Sequence, residues 1–103
     1  MAAAIYNLFI EQGADFYDAL DVSGDYTSYT IRGNIIDVEG NTTTGIVAWT
    51  DDTEGEFEIT LTNVETSAMI SGTGKYDIEV ESPTGYVMRL LQGRVYVDGE
   101  ITV

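Results

Sequence analysis

The chain has no cysteine, no histidine, a single proline and only four cations in 103 residues. Without cysteine it forms neither a disulfide framework nor a thiolate metal centre, and it shows no redox signature of a compartment. Without histidine it lacks the commonest general base and the commonest zinc ligand. The cations are Arg32, Lys75, Arg89 and Arg94, set against 18 carboxylates for a net charge of −14. Binding to nucleic acid needs clustered Lys and Arg to neutralise phosphates, so no nucleic-acid partner is expected. An anionic membrane surface is disfavoured for the same reason. The opening "MAAAIYNLFI" is too short, and too polar at Asn7, to span a membrane. It also lacks the basic n-region of a signal peptide, which points to synthesis inside the cell without an export signal.

What is present points to β-structure. The apolar fraction is 44%, and eleven glycines and seven tyrosines accompany the one proline. That composition suits short strands and tight turns, and the length suits one domain spanning residues 1–103. At this size folding buries roughly 60–70% of the unfolded chain's surface, enough for one modest core.

Period-two alternation runs through most of the sequence. In "IYNLFI", Tyr6, Leu8 and Ile10 share one face, while Ile5, Asn7 and Phe9 share the other. "DFYDALDV" and "YTIRGNIIDV" alternate in the same way, with Gly33 marking a bulge or a close backbone approach. "EGN" at Glu39–Asn41 fits a hairpin turn, and the returning strand is expected over Thr44–Thr50. In "EFEITLT", Phe57, Ile59 and Leu61 alternate with Glu56, Glu58 and Thr60, the clearest half-buried strand of the chain. "NVETSAMI" has helical character, capped by Asn63 or Thr62, with Val64 and Ala68 or Met69 as a short apolar stripe. The closing segment from Lys75 reads as three strands, with turns at "SPTG" and Gly93.

Seven to eight short strands at this spacing predict an all-β, immunoglobulin-like antiparallel β-sandwich. Phe16, Ile31, Trp49, Phe57, Ile59, Leu61, Tyr76, Ile78 and Val95 are expected to contribute to its core. The single tryptophan is read as filling space between the sheets.

Chemistry is sparse. Asp51, Asp52 and Glu54 in one loop, and Asp21 with Asp25 across another, offer oxygen ligands for calcium. Their spacing matches no EF-hand loop, so solvated loops are the expectation, with no metal site and no cofactor. Among 18 acids some pair always lies at glycosidase separation, which gives that pattern no weight. No set of nucleophile, base and oxyanion donor can be assembled, and no enzymatic activity is expected. Tyr17, Tyr26, Tyr29, Tyr86 and Tyr96 cannot all enter so small a core. Tyrosine is favoured at interfaces, although cross-strand pairing on a sheet face accounts for most of these. Arg89 and Arg94 both fall in the last hairpin, where each either partners an acid on its own sheet or is presented to a neighbouring chain. Arg89, Arg94, Tyr86 and Tyr96 are therefore the expected interface residues.

The segments "YNLFIEQGADF", "YTIRGNI" and "GTGKYDIEVESPTGYVMRLLQGRVYVDGEIT" resemble small β-sandwich structural proteins of tailed bacteriophages. In that family a strand ending in Glu-Gln-Gly leads to a strand opening on an aromatic, here Glu11, Gln12, Gly13 and Phe16. A tyrosine-centred strand carries an arginine, here Tyr29, Thr30, Ile31 and Arg32. The closing hairpin run is matched by Tyr76–Glu79, Arg89–Val95 and Glu100–Thr102, whereas Asp37–Val64 match poorly. Related domains occur as amino-terminal modules of baseplate and tail-fibre proteins. The resemblance implies a virion protein, assembled in the host cytoplasm, in the tail, baseplate or neck. Its expected partners are other virion proteins and further copies of itself, as a homo-oligomer or ring. A domain of this kind without a fibre or receptor-binding region suits an adaptor or attachment role. A capsid decoration protein on the head surface is the alternative within the class, and a cation- or carbohydrate-binding module the alternative outside it.

Overall fold

Alternation of apolar and polar residues resolves into nine strands and one short helix in a computed structural model that describes residues 3–101. Thr102, the last residue of the closing motif, lies outside the described residues. The elements are β1 (Ala4–Ile5), β2 (Leu8–Glu11), β3 (Phe16–Asp21), β4 (Thr30–Ile36) and β5 (Thr42–Thr44). They continue with β6 (Val47–Asp51), β7 (Glu56–Leu61), α1 (Asn63–Ala68), β8 (Gly72–Glu81) and β9 (Val87–Asp98). No helix among the described residues is long and apolar enough to cross a membrane.

The larger sheet has the order β9-β8-β4-β5, with β1 and β2 both added to the free side of β9. The smaller sheet has the order β3-β7-β6. The protein is an all-β sandwich, and these are the immunoglobulin strand orders G-F-C-C′ and B-E-D. Pairing is antiparallel throughout, except that β1 and β2 run parallel to β9.

The core lies where the inner faces meet. Phe57, Ile59 and Leu61 of β7 face Tyr76, Ile78 and Val80 of β8, with Leu8, Ile10, Ile35, Leu91 and Val95 around them. Each such side chain, fully buried, contributes roughly 1.5–3 kcal/mol of transfer free energy. Of the expected core residues, Phe57, Ile59, Leu61, Tyr76, Ile78 and Val95 are buried, whereas Phe16, Ile31 and Trp49 pack against the core from its margin.

Trp49 fills only the margin of the space between the sheets, half-buried against the core. Its ring stacks on Tyr26 at 5.4 Å and meets Phe57 edge-on at 6.1 Å, and its Nε1 donates to the Tyr29 carbonyl at 3.0 Å. Tyr26 and Tyr29 thereby fasten the β3–β4 connection to the rim of the smaller sheet.

Three local readings need correction. The strand expected over Thr44–Thr50 is two: β5 pairs with β4, then the chain turns at Gly45 (φ 67°) and crosses to the other sheet as β6. This break and another at Tyr6–Asn7 each add a strand, and the merging of the last two at Gly93 removes one, which leaves nine where alternation alone suggests seven or eight. The closing segment is two strands, because β9 runs unbroken through Gly93. Gly93 lies opposite Tyr76, and a Cβ there would collide with the Tyr6 carbonyl oxygen where the chain passes between β1 and β2. Tyr76 donates its hydroxyl to that same carbonyl at 2.5 Å. Glycine stands at this point for close approach, and no turn is involved.

The third correction concerns α1. It is capped by Thr62 in a capping box with Glu65, but Val64 is 74% exposed, and the buried residue is Thr66. The Thr66 hydroxyl accepts from Gly13 N at 3.1 Å and donates to the Ala14 carbonyl at 2.8 Å. The helix is therefore held by a polar anchor to the β2–β3 turn, and the apolar stripe reduces to Met69 just beyond it. Gly33 marks a close approach with no bulge: a Cβ would touch Ile78 and Val47 side chains, and the β4–β8 register is continuous.

Candidate functional site

The outward face of the larger sheet collects every cation of the chain. Tyr76, Ile78 and Val80 point inward, so Lys75, Asp77, Glu79 and Glu81 point outward. Cross-strand register then builds rows over three strands. Ile36, Lys75 and Arg94 form one; Asn34, Asp77 and Gln92 form the next; Arg32, Glu79 and Arg89 form the third. The four residues that carry positive charge come from three strands, yet all share one face.

They are not equally partnered. Arg32 bridges Glu79 at 2.6 Å and Glu81 at 2.9 Å, with its side chain 48% exposed. Arg89 pairs with Asp77 at 3.4 Å and donates to Gln92 at 3.1 Å. Such exposed pairs stabilise by about 0–1 kcal/mol each, which makes them a modest cement for the sheet. Among the described residues, Lys75 and Arg94 form no ion pair. They stand directly opposite each other, an arrangement of like charges that costs stability.

Beside this pair lies an apolar platform. Phe9 of β2 sits opposite Tyr96 of β9, and their rings stack at 5.2 Å with 19° between planes. Phe9 is 70% exposed and Ile5 75%. Between platform and cations runs a shallow depression of about 770 Å³, lined by Asn7, Asn34, Gln92, Lys75, Arg94 and Tyr96 among others. The Asn7 side chain accepts from Arg94 N at 3.0 Å, which fixes the depression's floor. An exposed Phe9 ring stacked on half-buried Tyr96, beside unpaired cations, matches the composition of protein interfaces, where aromatics and Arg are enriched.

The structure brings Arg89, Arg94 and Tyr96 together on this face. Tyr86 stands apart, in the β8–β9 turn and 66% exposed. Ten residues of strand separate it from Tyr96, about 33 Å at the usual rise. Phe9, Ile5, Lys75 and Arg32 share the face with Asp77, Glu79 and Glu81 and are not among the interface residues expected from sequence. The outward grouping of Ile5 and Phe9 is visible in the alternation. Lys75 needed the β8–β9 register, which places it against Arg94.

The acidic loops are used locally. Asp51 Oδ1 accepts from Thr53 N and Oγ1 at 3.1 and 2.6 Å. Asp25 Oδ1 accepts from Thr27 N and Oγ1 at 3.0 and 2.5 Å, and Asp21 takes Ser23 N at 2.8 Å. Among the described residues no three acids converge as metal ligands. Inside the sandwich, burial and then the neighbouring Tyr6 and Asp18 raise the Tyr76 hydroxyl well above the usual tyrosine range. It stays a neutral donor to the Tyr6 carbonyl. No family model and no curated protein matches the chain.

Proposed function

We propose that the protein is a non-catalytic structural subunit of a tailed-phage particle, working in the tail, baseplate or neck as an adaptor or attachment component. Its placement in a virion is supported by the resemblance carried by Glu11–Gly13, Tyr29–Arg32 and Arg89–Val95. The observation that carries the assembly reading is the outward face of the larger sheet. There an unpaired Lys75–Arg94 couple adjoins the exposed Phe9–Tyr96 stack. The charged couple costs the isolated chain stability, and the aromatic pair, although it supports the β2–β9 pairing, leaves Phe9 70% exposed. Both become favourable when a complementary surface covers them. Mass spectrometry of purified particles tests the reading: a virion component is present at a defined copy number, and a protein of another kind is absent.

A second reading, a carbohydrate-binding module, is favoured by one feature. Asn7, Asn34 and Gln92 line the depression beside Tyr96, which supplies amide hydrogen bonds next to an aromatic ring. A glycan array with Tyr96→Ala as control would reveal it. Saturable binding lost in the variant would favour the module over the subunit.

A further inference from the structure

We propose that the unpaired Lys75–Arg94 patch on the outward face of the larger sheet docks on the acidic outward face of the smaller sheet of a second copy, head to tail. The inference rests on the assembly reading above and names its partner. The smaller sheet contains no cation, so the charged residues of its outward face are all acids. Asp21 of β3 and Asp51 of β6 both stand opposite Glu56 of β7, so three acids lie side by side across all three strands. Glu58 projects from the same side of β7.

Each face thus holds a row of like charges that forms no ion pair among the described residues. Cross-strand repulsion of this kind is costly in both rows. Bringing the rows together replaces two repulsions with attraction. It also offsets the mutual repulsion of chains that each carry −14. The two patches lie on opposite sides of the sandwich, so no copy can use both on one neighbour. The contact is heterologous, leaves a free patch of each sign at its ends, and propagates until a ring closes. Tyr96 and Phe9 supply the apolar part of the contact.

The test uses two charge reversals of the full chain. Lys75→Glu with Arg94→Glu makes the first face acidic, and Glu56→Lys with Glu58→Lys makes the second face basic. Glu56 and Glu58 are chosen because Asp21 and Asp51 also hold turns. Self-association is measured by sedimentation equilibrium at low ionic strength, after thermal unfolding shows each variant folded. The expectation is that wild type associates, each variant alone is weakened about 100-fold by like-charge contact, and an equimolar mixture regains association. If a reversal does not fold, the corresponding glutamine variants replace it, with a smaller loss and the same loss on adding salt to wild type.

Association of the Glu56→Lys/Glu58→Lys variant at wild-type strength would mean that the acidic face of the smaller sheet lies outside the contact, and would overturn the proposal. So would a wild-type chain that stays monomeric at every concentration reached. In that case its presence in purified particles would leave the assembly reading standing with a different partner, and its absence would remove both.

Discussion

Lys75 and Arg94 face each other across the β8–β9 ladder without a carboxylate partner among the described residues, while the chain's other two cations are both paired. In a protein with 18 acids this is a choice against local stability. Asp77, in the adjacent row, is engaged by Arg89, and at about 0.15 M salt charges beyond about 8 Å are largely screened. Arg94→Glu turns repulsion into attraction and should raise stability by about 0.2–1 kcal/mol in urea denaturation. The same variant should lose self-association. A protein that became less stable would show that Arg94 already has a stabilising role within the chain.

Gly93 and Tyr76 hold the Tyr6 carbonyl from two sides, one by leaving room and one by donating a hydrogen bond. Gly93→Ala should cost about 1–3 kcal/mol, the usual penalty of overfilling a packed site. Tyr76→Phe should cost about 0.5–1.5 kcal/mol for the lost hydrogen bond. Because both act on one carbonyl, the double variant should lose less than the two costs added together. Hydrogen exchange should locate the damage at the parallel pairing of β1 and β2 with β9.

Thr66 is fully buried, with its hydroxyl joining α1 to the β2–β3 turn. Thr66→Val keeps the shape but leaves Gly13 N–H and the Ala14 carbonyl without their partner. The expected loss is about 1–3 kcal/mol, the cost of stranding buried polar groups. Thr66→Ser keeps the hydroxyl and should retain more of the stability. Equal losses in the two variants would assign the role to the methyl group.

Asp37 contributes to the acid side of the stability profile. Burial pushes its carboxyl up, but donation from Ile70 N, Asn41 Nδ2, Asn41 N and Glu39 N outweighs burial and holds it below the ordinary carboxylate range. A carboxyl depressed in the folded state stabilises fully above its unfolded value, about 3.9, and loses that contribution as pH falls through the folded value. Asp37→Asn should therefore be less stable than wild type at pH 7, and the gap should close below about pH 4. Urea midpoints of both proteins across this range measure it. A gap that stays constant would mean that Asp37 acts without its charge.

The sandwich was legible because alternation encodes which face of a strand is buried. Phe57, Ile59 and Leu61 were readable for that reason, and so were Tyr76 and Ile78. What alternation does not encode is partnership. Nothing in "TGIVAWT" says that the chain changes sheets at Gly45, since both halves keep the same period. Gly93 reads as a turn because the contact that requires glycine comes from Tyr6, far away in sequence. The face built around Arg94 was half visible. Arg89 and Tyr96 share its strand, but Lys75 and Phe9 join it only through register. Tyr86, close in sequence, is separated from it by the length of β9.

The account stands on the outward face of β9 and its neighbours being covered in the assembled particle. Quantitative mass spectrometry of particles from hosts producing either wild type or Lys75→Glu/Arg94→Glu measures this most directly. Wild type should appear at a fixed copy number per particle, and the variant, folded with an unchanged thermal midpoint, should be missing or strongly depleted. Full incorporation of the variant would contradict the role of this face, and absence of the wild-type chain from particles would contradict the account as a whole.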